Sequence, residues 1–166
     1  MDDFKKQIQA MLRKSSEEAE RQAALRSEGA AKFQARLLDF DRHADLAQEK
    51  VIAPRVTYLA SLFPQASKLE MKEEDDYRHR INLHFGHTDE FPCTADVTFL
   101  IVHDEEPTHC NVKFEYLILP AYVSEKYRGS DSLRIKTGPD SLAKVAEFVE
   151  KSIQSFLEGY LMARRA

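Results

Sequence analysis

The first fifty residues most constrain what this chain can fold into, because their pattern predicts one uninterrupted helix. They contain a single glycine and no proline. Apolar or small side chains recur in them at steps of three, four or seven residues, a spacing that keeps them on one helix face. These positions are Phe4, Ile8, Leu12, Ser15, Ala19, Ala23, Ala30, Phe33, Leu37, Phe40, Ala44, Ala47 and Val51. A helix of about 45 residues is about 68 Å long, whereas the rest of the chain would make a globule with a radius of gyration of about 13 Å. We therefore expect part of the helix to pack on a partner, fold back or stand in water.

The apolar seam of this helix is strongest in its second half. Small alanines occupy the middle, and they bury little area per turn. Large apolar side chains return at Phe33, Leu37 and Phe40, and such groups dominate helix–helix seams. We therefore predict that residues 1–50 are a long amphipathic helix that can form a coiled coil and oligomerise, with Phe33, Leu37 and Phe40 as its anchors.

The pattern of residues 51–166 predicts a separate α+β domain. A short helix with Pro54 near its first turn is stopped by Pro64. From about Lys68 the apolar period becomes two, and short polar turns separate the runs, which predicts an antiparallel meander of four to five strands. A turn at 128–131 should precede the last strand. A helix that starts at Asp140 or Ser141 should then pack its wide apolar stripe on one sheet face.

Composition and charge narrow the class of protein. The net charge is −4, and residues 1–50 hold ten basic and ten acidic groups. No block is strongly basic, so nucleic-acid binding is not expected. No apolar run is long enough for a transmembrane segment, and no secretory leader begins the sequence. Two cysteines in a chain of this size do not make a disulfide framework. We therefore expect a cytoplasmic protein.

Histidines and cysteines form two sets in the predicted meander. One set consists of His84, His87 and Cys93, and the other of His103, His109 and Cys110. The sets lie at opposite ends of the sheet, about 33 Å apart, so they cannot share one ion. Their spacing matches no standard zinc module. Whether either set binds a metal stays open, and the prediction includes no metal ligand and no cofactor.

Signatures of catalysis are missing from the sequence. No serine has a nucleophile-elbow context, and no glycine-rich loop joins a strand to a helix. The acidic runs at 73–76 and 104–106 are typical of solvated turns. We therefore assign no catalytic residue and favour a protein that is not an enzyme.

The predicted core face offers an alternative function. A curved sheet that grips a helix can enclose an apolar cavity that binds lipids or small hydrophobic ligands. The lining would come from Phe99, Phe114, Tyr116, Phe148 and Phe156. The simpler interpretation is that the same residues fill a solid core.

The leading hypothesis is a non-enzymatic cytoplasmic interaction protein. It would self-associate through the long helix, form a dimer or larger homo-oligomer, and present a surface to a protein partner. The order of elements is similar to that of small dimeric secretion chaperones at the level of the fold alone, and the hypothesis includes a chaperone-like role.

Overall fold

The computed structural model of the chain describes residues 1–73, 77–120 and 127–164. The elements are α1 Asp2–Ala47, a π-helical turn Gln48–Ile52, α2 Ala53–Ser61, β1 Ala66–Glu73, β2 Arg78–Phe85, β3 Thr94–His103, β4 His109–Leu119, β5 Arg128–Lys136 and α3 Ser141–Ala163. The fold is α+β, with a long first helix, a short second helix, a five-stranded antiparallel meander and a final helix on the sheet. This architecture confirms the fold class predicted from the sequence. Part of the predicted acidic run at 73–76 lies outside the described residues.

The chain divides into two compact units, Met1–Leu38 and Asp39–Ala166. We call them unit 1 and unit 2. Unit 1 consists of the first part of α1, and unit 2 holds the end of α1 and every other element. The sequence placed the boundary after residue 50, whereas the division falls within the helix. Repeated helical spacing continues through this point, so the sequence pattern alone carries no boundary signal there.

The sheet of unit 2 has the strand order β1-β2-β3-β4-β5, and every neighbouring pair is antiparallel. Side chains that face each other across the strands therefore share one sheet face. One row of the inner face joins Ile81, Phe99 and Phe114, and all three are buried. The alternating burial of β2, β3 and β4 reproduces the period of two in the sequence.

Helices cover the inner face of the sheet. Val145, Val149, Phe156 and Tyr160 of α3 are completely buried in the core, as the wide apolar stripe predicted. Pro54 sits in the first turn of α2, directly after the π-helical turn, and the helical path continues through it. The π-helical turn Gln48–Ile52, which precedes α2, contributes Val51 and Ile52 to the buried core.

One predicted turn is wrong. Residues 128–131 were expected to turn, but Arg128–Lys136 is one continuous strand paired with β4. Its polar, glycine-containing start lacks the apolar alternation that marked the other strands. Gly129 faces Tyr116 across the pair, and a Cβ at this glycine would lie 2.4 Å from the Tyr116 ring. A larger residue at position 129 would therefore force the Tyr116 ring to shift.

None of the described helices combines the length and the apolar content that crossing a bilayer requires.

Candidate functional site

Four ionisable side chains meet at one end of the inner sheet face in unit 2. Asp41 and Asp45 lie four residues apart on the end of α1, beside the buried Ala44, so they project from the same side of the helix. Lys72 of β1 and His79 of β2 face each other in the strand register. Packing of the helix end on these two strands brings all four groups together.

The distances in this cluster are those of hydrogen bonds and ion pairs. Nε2 of His79 lies 3.1 Å from Oδ1 of Asp41, and Nδ1 lies 3.5 Å from Oδ1 of Asp45. Nζ of Lys72 donates to Oδ2 of Asp41 at 3.0 Å and lies 3.4 Å from Oδ1 of Asp45. Each carboxylate therefore contacts both the imidazole and the ammonium group.

His79 is buried, so its ring needs the two carboxylates as hydrogen-bond partners. The residue is 3% exposed, and an unpaired polar group at such a place is costly. A neutral imidazole carries a hydrogen on one ring nitrogen only, whereas an imidazolium donates from both. The imidazolium form can therefore donate to both carboxylates, and the neutral form to one of them. Lys72 is desolvated by its surroundings, which lowers its pKa, but hydrogen bonds and charges from Asp41 and Asp45 outweigh this and raise the pKa of Lys72 above its ordinary value.

The same cluster has the composition of a cation site. Among the described residues, Asp41, Asp45 and His79 form the one group of three metal-ligating side chains whose donor atoms all lie within 4.8 Å of one another. Two carboxylates and an imidazole suit a divalent cation. However, the Lys72 ammonium already contacts both carboxylates. A bound cation would have to displace this ammonium, so the arrangement fits a charge-compensated structural network.

Sequence reasoning missed this cluster although one signal was present. His79 falls on the inward face of the alternating pattern in β2, where apolar residues are expected. An inward polar residue needs a partner, but the partner Asp41 is 38 positions away in the chain. No local spacing could identify it.

A second polar contact joins the end of α1 to the start of α3. Nε2 of His43 lies 2.8 Å from Oγ of Ser141, which also donates to the carbonyl of Gly138 at 2.6 Å. Because the hydroxyl hydrogen is used toward Gly138, the His43 ring donates to Oγ. Burial lowers the pKa of His43 below its ordinary value.

The two histidine and cysteine sets named from the sequence do not form metal-ligating groups of three within the described residues. In the first set, His84 pairs instead with Asp96 at 2.9 Å, and Cys93 is a buried free thiol. In the second set, His103 packs edge-on against Phe40, with ring centroids 5.4 Å apart. Burial, followed by the charge of Asp104, raises the pKa of Cys110 to about 12, so its thiol is a poor metal ligand at neutral pH.

The residues named for a ligand cavity are brought together, but as rings in contact. Ring centroids lie 5.1 Å apart for Phe99 and Phe114, 5.7 Å for Phe114 and Tyr116, and 5.6 Å for Tyr116 and Phe156. These four are buried, and Phe148 is half-buried against the same core. Such distances are ordinary for packed aromatic pairs. The ligand-binding alternative stays a prediction, and no feature of this cluster favours it.

The three predicted interaction anchors have different surroundings. Phe40 is completely buried in the core of unit 2, so it serves the fold there. Leu37 is buried, whereas Phe33 is 42% exposed. The other exposed large apolar side chains of unit 1 are Met1, Phe4, Ile8, Met11, Leu12, Leu25 and Leu38. The sequence pattern identified the stripe but could not tell which part of it is covered.

The outer face of the sheet carries charges of both signs. Arg80 and Lys113 share one row of this face, with Leu100 between them. In the neighbouring row Asn111 lies beside Arg134, and both side chains donate hydrogen bonds to Asp104. The Arg134 and Asn111 hydrogen bonds hold the pKa of Asp104 below its ordinary value. The basic groups on this face are therefore partly neutralised by acidic neighbours.

Comparison of the chain with protein-family models, curated proteins and solved structures gave no match.

Proposed function

We propose that this protein is a non-enzymatic interaction protein that self-associates through unit 1. The observation that carries the proposal is the exposed apolar stripe of this helix. Phe4, Met11 and Leu12 are 62, 68 and 66% exposed. Side chains of this size contribute about 1.5–3 kcal/mol each when they pass from water into an apolar contact.

A second copy of the chain is the occupant that the charges favour. Unit 1 carries eight basic and six acidic side chains, distributed along its length. A helix of such mixed charge can meet another copy without strong repulsion, whereas it has no extended basic face for an anionic partner. Opposite charges within the helix, such as Lys32 and Glu28 at 3.3 Å, also keep it soluble before association.

Chemistry in unit 2 supports a binding role more than a catalytic one. Its buried ionisable cluster is internally compensated by Lys72 and His79. Both cysteines are free and buried, which suits a reducing compartment. We accordingly place the proposed activity in the cytoplasm and expect a further protein partner, in a chaperone-like arrangement, to bind the assembled form.

Sedimentation equilibrium of the full chain over a range of concentrations tests this proposal. We expect a dimer or larger species that dissociates on dilution. Replacing Ile8 and Leu12 by Glu should place charges on the stripe and give a monomer with an unchanged circular dichroism spectrum.

Ala24→Glu with Ala31→Glu is the matched control, because these exposed alanines lie on the opposite side of the helix. This control should remain associated. A native chain that sediments as a monomer at every concentration would overturn the proposal.

A further inference from the structure

We infer that the two copies pair antiparallel along unit 1, with the two-fold axis between residues 16 and 17. This inference rests on the proposed self-association and specifies its geometry. With the axis at this point, a residue is level with the partner residue whose number, added to its own, gives 33, and pairs whose numbers add up to 32–35 lie within about 3 Å of the same level.

Side-chain size is the first reason for this register. The exposed stripe is bulky near the amino terminus, at Phe4 and Met11, and small farther along, at Ala23, Gly29 and Ala30. Antiparallel pairing sets Phe4 against the partner's Gly29 and Ala30. It also sets Met11 against the partner's Ala23. Parallel pairing would oppose large with large and leave gaps between the alanines, and such gaps forfeit packing energy.

The middle of the stripe has a matching shape. A shallow groove on the helix surface is lined by Met11, Lys14, Ser15, Glu18, Ala19 and Gln22. A two-fold axis between residues 16 and 17 places Met11 level with Gln22 of the second copy, Lys14 with Ala19, and Ser15 with Glu18. One copy can therefore lie in the groove of the other while offering its own groove in return, which is the self-complementarity that a two-fold interface needs.

Charge is the second, independent reason. Lys14 and Glu18 lie on one flank of the stripe, and the antiparallel register brings each beside the other residue in the second copy. Asp3 and Lys32 lie on the same flank and meet in the same way. Parallel pairing would instead put this flank of the two copies on opposite sides of the interface, so that Lys14 would not meet Glu18 of the second copy. Opposite charges at such flanking positions select the orientation of paired helices.

Cysteine cross-linking tests the register in the full chain. Three variants are compared: Met11→Cys, Ala23→Cys, and the chain with both substitutions. Each is treated with a short bis-maleimide at a concentration where sedimentation shows association. The native chain is the background control, because its own Cys93 and Cys110 are buried.

We expect a covalent dimer from the double variant and none from either single variant. In the antiparallel register residue 11 is about 17 Å along the axis from residue 11 of the second copy, and residue 23 about 20 Å from its counterpart. Within one chain, positions 11 and 23 are about 18 Å apart, so internal cross-linking does not compete.

Covalent dimers from the single variants would show parallel pairing and overturn the inference. Absence of cross-linking from all three variants, with dimers still seen by sedimentation, would overturn this register and leave the proposed function intact. A native chain that sediments as a monomer at every concentration would overturn the proposed function itself.

Discussion

The helix of unit 1 and helix α3 both carry apolar stripes, but in different surroundings. Val145, Val149 and Phe156 on α3 are completely buried, whereas Phe4 and Met11 in unit 1 are 62% and 68% exposed. Helical spacing is equally clear in both. The comparison teaches that an amphipathic pattern specifies a face that must be covered, but not which molecule covers it.

The largest expected effect is a difference in the free energy of unfolding between a variant in the α3 stripe and a variant in the unit 1 stripe. Phe156→Ala removes a ring packed 5.1 Å from Phe85 and 5.6 Å from Tyr116, and we expect a loss of about 3–5 kcal/mol in the free energy of unfolding. Phe4→Ala removes an exposed ring and should change this free energy by less than about 0.5 kcal/mol under monomeric conditions. Urea denaturation followed by circular dichroism measures both. Equal losses in the two variants would mean that Phe4 belongs to a folded core.

A smaller loss of stability is expected from a substitution in the ionisable cluster around His79 in unit 2. Asp41→Ala leaves the buried His79 with a single carboxylate and removes a partner of Lys72. We expect this to cost about 1–3 kcal/mol in the free energy of unfolding.

Asp39→Ala is the matched control on the same helix. Its carboxylate forms an exposed ion pair with Arg42 at 3.7 Å, and such pairs contribute little. The control should stay within about 0.5 kcal/mol of the native chain. A control as destabilised as Asp41→Ala would show that the helix end, and not the buried cluster, determines the loss.

The pH dependence of stability should show the burial of His43. Burial lowers its pKa in the folded chain, so below the ordinary value of about 6.5 the unfolded chain binds a proton that the folded chain does not. Stability is therefore complete above that pH and falls as the pH decreases toward the lowered folded-state pKa. His43→Gln should flatten this part of the curve, with an effect smaller than that of Asp41→Ala. Unfolding curves between pH 7.5 and 5, taken as rough limits from the same ordinary value, compare the two chains; parallel curves would contradict the assignment.

The smallest effect concerns the charges that flank the exposed stripe. Lys32→Asp should weaken self-association by about 1.4- to 5-fold per ion pair, as exposed pairs contribute about 0.2–1 kcal/mol. Addition of Asp3→Lys in the same chain should restore association, because the exchanged charges meet in the antiparallel register. Lys32→Asp also loses its pair with Glu28, and the double variant shares that loss. A dissociation constant that rises further in the double variant would count against this pairing of flanks.

Much of the fold was predictable because its signals are local. The alternation of β2 to β4 and the start of α3 follow from neighbouring residues, and both are confirmed. The start of β5 was missed because Gly129 and Ser130 lack the apolar alternation. The Asp41–His79 contact was missed because it depends on tertiary packing between distant segments. The burial of Phe40 in the core was not predictable, because periodicity shows which residues share a face and not what covers that face.

The close approach of Gly129 to Tyr116 has a genetic consequence. A Cβ at position 129 would lie 2.4 Å from an atom of the Tyr116 ring, so in the native background any other residue at this position requires the Tyr116 ring to move. A smaller side chain at position 116 would remove the obstacle and open position 129 to alanine or serine. The order in which the two changes arise would then decide whether a lineage passes through a misfolded intermediate. Positions 116 and 129 should therefore show sign epistasis and diverge as a pair.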